Sequence, residues 1–165
     1  MATPAWELID SNTLSASASS VTFSVIPQGY RDLVLVIDFV AASGFVAPNI
    51  QLNSDTGTNY SYVLADGRGT SAISGAGSGQ TQLYGTNSVS SGDSGMAVVQ
   101  FMDYSATDKH KTILTRANNT QTNSTVRMSA QRWANTSAIT QIFVFDSSDN
   151  FAAGSTFYLW GLNRL

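Results

Sequence analysis

The single imidazole of this sequence, His110, is its only side chain that ordinarily titrates near neutral pH. Gly92-Asp93-Ser94-Gly95 sets a hydroxyl beside a carboxylate between glycines. Such a serine becomes a nucleophile only when a base takes its proton. His110 lies downstream, in the charged patch Asp108-Lys109-His110-Lys111, and reads as the solvated end of a loop. Gly, Asp and Ser each favour turns, so the four-residue segment reads as a turn. Glycoside hydrolysis would need two carboxylates at a set separation. The acidic residues are mostly Asp, with one Glu (Glu7), and no spacing picks out a pair. Asn53-Ser54-Asp55-Thr56-Gly57 and Asp146-Ser147-Ser148-Asp149-Asn150 are rich in oxygen ligands. Neither has the spacing or the terminal Glu of an EF-hand loop, and both read as Asx turns. Asn53 and Asp55 are the nearest approach to a metal-ligand pair. With no Cys there is no thiolate nucleophile, disulfide framework or zinc thiolate site. The expectation is a protein that is not an enzyme and uses no cofactor and no metal.

The elements that would position these residues are strands. Apolar residues recur with a period near two: Val21, Phe23 and Val25; Ile50 and Leu52; Tyr60, Tyr62 and Leu64; Val126, Met128 and Ala130. Leu33 to Ile37 is a continuous β-branched-rich run, as for a central strand covered on both faces. Met96 to Tyr104, Lys111 to Arg116, Ala138 to Phe145 and Ser155 to Leu162 complete the set. No window repeats apolar groups at helical spacing. Lys occurs only at 109 and 111, and Glu only at 7, so the residues that usually clothe helix surfaces are scarce. The fold expected is all-β: an antiparallel, jelly-roll-like β-sandwich of about 8–10 strands.

The 165 residues suit one domain, 1–165. Two segments stand apart. Residues 1–19 hold Trp6-Glu7-Leu8-Ile9 ahead of a polar Ser/Ala stretch and read as an arm or an edge strand. Residues 65–95 turn to Gly and Ser, and only Gln80 to Tyr84 within them reads as a strand. Charged residues make up 12% of the chain, about half the usual share, and the net charge is −3, which offers no footprint for nucleic acid. No basic leader precedes Arg31 and no apolar run approaches membrane-span length, so neither nucleic acid nor membrane is an expected partner. Most aromatic residues fall in alternating strands and read as core or interface. Tyr84, in the Gly-rich region, is the best candidate for a protruding contact.

Three segments carry a resemblance: Ser17 to Phe23 continuing through Ile26-Pro27-Gln28-Gly29-Tyr30-Arg31-Asp32-Leu33-Val34-Leu35; Leu52 to Tyr60; and Phe151 to Leu162. Together they resemble small β-sandwich virion proteins of tailed bacteriophages, most of all the head cement or decoration proteins of cyanophage-like viruses. Trp160 stands where that pattern has Tyr before the final Gly. The resemblance implies a homotrimer on the outer surface of the capsid head, bound to the major capsid protein and stabilising the joints between capsomers. It also implies arms that wrap neighbours, with Trp6, Leu8 and Ile9 as anchors and Tyr84 as a loop contact. The alternative is a tail or fibre module that binds host-surface carbohydrate.

Overall fold

The computed structural model describes residues 4–85, 87–121 and 125–164, and all of their regular structure is β. The strands are β1 (Trp6–Thr13), β2 (Ser20–Ser24), β3 (Asp32–Val40), β4 (Phe45–Val46), β5 (Asn49–Leu52), β6 (Tyr60–Arg68) and β7 (Ser71–Gln80). They continue as β8 (Leu83–Tyr84), β9 (Val89–Ser90), β10 (Ser94–Met102), β11 (Lys111–Asn119), β12 (Thr125–Trp133), β13 (Gln141–Phe145) and β14 (Thr156–Leu162). An eight-stranded sheet has the order β1-β14-β3-β10-β11-β12-β6-β7 and a four-stranded sheet the order β2-β13-β5-β8. Every pairing is antiparallel, and β4 and β9 form a separate short ribbon. The all-β sandwich expected from the residue pattern is the observed fold. The fourteen strands exceed the expected number because β4 and β9 are two residues each, too short to give a period, and because of β7; the strand expected over Gln80 to Tyr84 forms only at Leu83–Tyr84, since Gln80 ends β7.

The core lies between the two sheets. Leu33, Leu35, Ile37 and Phe39 of β3, with Phe157 and Leu159 of β14, belong to one buried cluster with Phe23 of β2, Ile50 of β5 and Ile142 of β13. Phe151 sits edge-on to both Phe39 and Phe157, with centroids 5.8 and 5.3 Å away. On the second face of β3, Val34 is buried as well, beside Trp160 and Gln100 on the neighbouring strands, whereas Val36 is half-buried and Asp38 exposed.

Three sequence expectations are corrected or resolved. Val25 does not continue the inward set of β2: it has φ 56° and is 90% exposed, and Ile26 takes the core position. A β-branched residue at positive φ is strained, and here it swings the chain by one residue. The described residues of 65–95 are not a loosely structured excursion. β6 runs to Arg68, turns at Gly69 and returns as the ten-residue β7. The ladder uses backbone groups only, so Gly, Ala and Ser suffice. At Gly77 a Cβ would come within 2.6 Å of the Tyr62 ring, so the bare backbone accommodates the aromatic on the neighbouring strand. Of the two readings of the N-terminus, the edge strand is what forms. β1 pairs with β14 from Trp6↔Leu162 to Thr13↔Thr156, with an irregularity between Leu8 and Asp10. Leu14 and Ala18 tie the following residues to Ser155 and Phe151.

Candidate functional site

The residues with chemical potential are dispersed and structurally engaged. Ser94 and His110 fall at opposite ends of the β10–β11 hairpin, about eight residues or roughly 27 Å apart at 3.4 Å per residue. Ser94 instead bonds Thr120. Asn53 and Ser54 adopt positive φ in the turn between β5 and β6. The Asn53 side-chain oxygen, Oδ1, accepts from the backbone N–H groups of Thr140 and Gln141. The Asp55 carboxylate accepts from the Trp133 indole at 2.7 Å, from Asn59 and from Gly57 N–H. Burial pushes the Asp55 carboxyl up, but these hydrogen bonds outweigh it and hold it below the usual range. Asp146 likewise accepts from Ala47, Ser148 and Asp149 backbone amides. Among the described residues no group of three His, Cys, Asp or Glu could hold a metal ion. Lys111 is fully buried and donates to the carbonyls of Ala106, Lys109 and Thr136. It pins two loops.

The feature that stands out is the outer face of the large sheet, which the small sheet does not cover. The registers define a lateral row crossing all eight strands. From the β1 edge it runs Leu8, Trp160, Val34 and Gln100, and it continues through Leu114, Ala130, Val63 and Ala76. Seven of these eight positions are apolar. The next row carries Tyr158, Val36, Val98, Arg116, Met128 and Ala65 across its six middle strands. A third passes through Asp38, Met96, Asn118 and Val126. A shallow depression of about 520 Å³ crosses this face, lined by Val63, Ala65, Leu114, Met128 and Ala130, and a second adjoins it at Met96, Val98 and Val126.

β12 explains how such a face arises. Its alternation reads as apolar inward and polar outward, but the structure reverses it. Val126 and Met128 are 62% and 61% exposed, while Thr125, Ser129 and Gln131 are buried. The inward polar groups are satisfied locally. Gln131 accepts from Tyr84 N–H at 2.8 Å and donates to Tyr84 C=O at 2.7 Å, so its amide acts as a strand partner for β8. The same amide nitrogen reaches the hydroxyls of Thr115 and Ser129.

Beyond β8 the inner face of the large sheet is open and forms a polar cleft of about 660 Å³. Arg127 holds Asp66 with Nε–Oδ1 2.7 Å and Nη2–Oδ2 2.8 Å, and Arg68 adds Nη2–Oδ2 at 3.1 Å. The Arg127 hydrogen bonds hold the Asp66 carboxyl below its usual range against the opposing effect of burial, and Arg68 reinforces them. Both arginines line the cleft with Tyr84, Asn49, Asn119 and Gln121.

The sequence-named contact residues therefore separate. Trp6 and Leu8 are exposed and pair with Leu162 and Trp160, so they extend the apolar face at its β1 edge. Ile9, at the irregularity, packs against the core instead. Tyr84 lies on the other side of the large sheet, half-buried in the polar cleft, with its ring 4.7 Å from Tyr62. Leu114, Val63 and Met128 were missed, because an outward apolar set and an inward one have the same period. The one available signal was the polar set alternating with them: Ser129 and Gln131 can bond inside a fold, and the one charge on that side of the strand, Arg127, has a carboxylate to pair with in Asp66.

No protein-family model and no curated protein sequence matches this chain. Function is therefore inferred from geometry and from the resemblance of the three segments.

Proposed function

We propose that this chain is a structural virion protein, a capsid cement or decoration protein that docks the outer face of its eight-stranded sheet against neighbouring protein subunits. The observation that carries the reading is the reversed β12, which exposes Val126 and Met128 and buries Ser129 and Gln131. The largest apolar patch on a protein surface is often a functional contact. Eight strands at about 4.8 Å and three rows about 6.8 Å apart outline a face of about 34 by 14 Å, the few-hundred-Å² scale at which exposed patches mark interaction sites. The resemblance supplies the address: the outer surface of the head, as a homotrimer contacting the major capsid protein. Low charge suits the role, because such contacts depend little on salt, and many copies on a shell give avidity without strong single contacts.

Immunogold labelling of virions from the phage that encodes this chain tests the location. Gold spread over the head is expected. Gold confined to the tail would replace this reading with the tail or fibre alternative, which the polar cleft beside Tyr84 favours. Met128→Glu should fold yet fail to bind capsids. Full binding by that variant would remove the outer face from the argument.

A further inference from the structure

The cleft at the open end of the sandwich has a charge balance that neither the core nor the outer face uses. We propose that it is a binding site for a carboxylate-bearing saccharide, with the carboxylate on Arg68 and the sugar ring beside Tyr84. Asp66 is 1% exposed and lies behind the two arginines, outside the cleft lining, whereas Arg68 and Arg127 both line it. Two guanidinium groups answered by one carboxylate leave a formal +1 facing the cleft, in a chain whose net charge is −3. None of the described lining residues is Asp or Glu. Arg127 is committed to Asp66 through both arms of its fork, while Arg68 gives Asp66 one contact and remains 46% exposed. Arg68 is therefore the group a ligand meets first. A guanidinium presents paired donors that match a carboxylate.

The rest of the lining selects the class of anion. Asn49, Asn119 and Gln121 each give an amide N–H to the protein, to Ala47 C=O, Ser88 C=O and Ser90 Oγ, and Asn119 Oδ1 accepts from Thr125 N–H; a second N–H and a lone pair remain on each amide, so they can both donate to and accept from the hydroxyls of a pyranose. The Tyr84 ring supplies an apolar surface for the sugar's C–H groups. A bare phosphate would satisfy the guanidinium and leave those amides without a ligand partner. The cleft volume falls within the few-hundred-Å³ range of small-ligand sites. None of this depends on the outer face, so the site and the assembly role stand or fall separately.

Titration of the full-length protein with trigalacturonate, followed by calorimetry and by amide shifts of ¹⁵N-labelled protein, tests the proposal. Saturable binding is expected, with shifts confined to the β6–β7 turn, Tyr84 and residues 119–121. Arg68→Gln should weaken binding at least about tenfold with an unchanged melting temperature, since Arg127 alone still holds Asp66 by both oxygens. Maltotriose and inorganic phosphate should bind far more weakly. Absence of trigalacturonate binding would overturn the proposal, as would equal affinity for maltotriose or phosphate, or shifts on the outer face. Unchanged affinity in a folded Arg68→Gln protein would do the same. If that variant does not fold, the shift map of the wild type decides alone.

Discussion

Tyr60 ties the turn between β5 and β6 to the core through one hydroxyl. It accepts from Leu52 N–H at 3.1 Å and donates to the Asp55 carbonyl at 3.0 Å, while its ring stacks on Trp133. Burial pushes its pKa up to about 12, from the ordinary tyrosine value of 10.0. Because the folded value is raised, the unfolded chain loses its proton first. Stability is complete below about pH 10 and falls as pH rises from 10 towards 12. Tyr60→Phe should cost about 1–2 kcal/mol at neutral pH and flatten this alkaline decline, as read by urea unfolding at several pH values. Asp66 works with the opposite sign. Its folded pKa is lowered, so its contribution is complete above the ordinary carboxyl range and is lost as pH falls through and below it. Asp66→Asn leaves two guanidinium groups facing a neutral amide. It should destabilise by about 3–5 kcal/mol, and that loss should be smaller at low pH, where the wild-type carboxyl is itself protonated. Equal urea midpoints for variant and wild type at pH 7 would contradict the bonding described for the cleft.

β12 and β7 show that a strand's role depends on its neighbours. The inward polar set of β12 works as bonding groups for β8, so Gln131→Ala should release Tyr84 and cost about 2–3 kcal/mol by leaving buried backbone groups unpaired. Hydrogen exchange at the Tyr84 amide should rise with it. The outward set contributes little to the isolated fold: Met128→Ser should change the melting temperature only slightly while weakening any assembly through that face. β7 lacks strongly β-forming residues along most of its length. It exists because β6 offers a complete ladder. That dependence on a distant partner is why the Gly/Ser-rich composition of residues 65–95 suggests an excursion when read alone.

At the scale of the whole molecule, eight strands face four. The four-stranded sheet covers the inner side of the large sheet, and the β6–β7 end carries the polar cleft where that cover runs out. The outer side is left apolar from Trp6 and Leu8 at one edge to Val63 near the other. Association through this face should change little between about 0.05 and 0.5 M salt, because screening acts on charges and Arg116 and Asp38 are the only charged side chains in the rows named. Light scattering across that range is the check, and dissociation on adding salt would point to a charged contact instead. Removing residues 1–13 deletes β1, bares the β14 edge and takes Trp6 and Leu8 from the face. That truncation should lower both the melting temperature and the tendency to associate.

The all-β class, the central position of β3 and the turns at Asn53 and Gly92 were legible in the sequence, because strand period, β-branched runs and turn residues act over a few neighbouring positions. The lack of cysteine was equally plain from composition. What only the tertiary structure decided is which side of each strand meets the core. Val21 and Phe23 face inward as their alternation suggests, but Val25 does not, and Val126 and Met128 face out under the same period. A period of two marks two faces without saying which one is covered. That choice is made by what packs above the strand: the four-stranded sheet over β3 and β10, and β8, held by Gln131, over β12. The joining of Asp66 with Arg68 and Arg127 was likewise invisible, since Arg127 lies more than fifty residues from the carboxylate and meets it only through the pairing of β6 with β12.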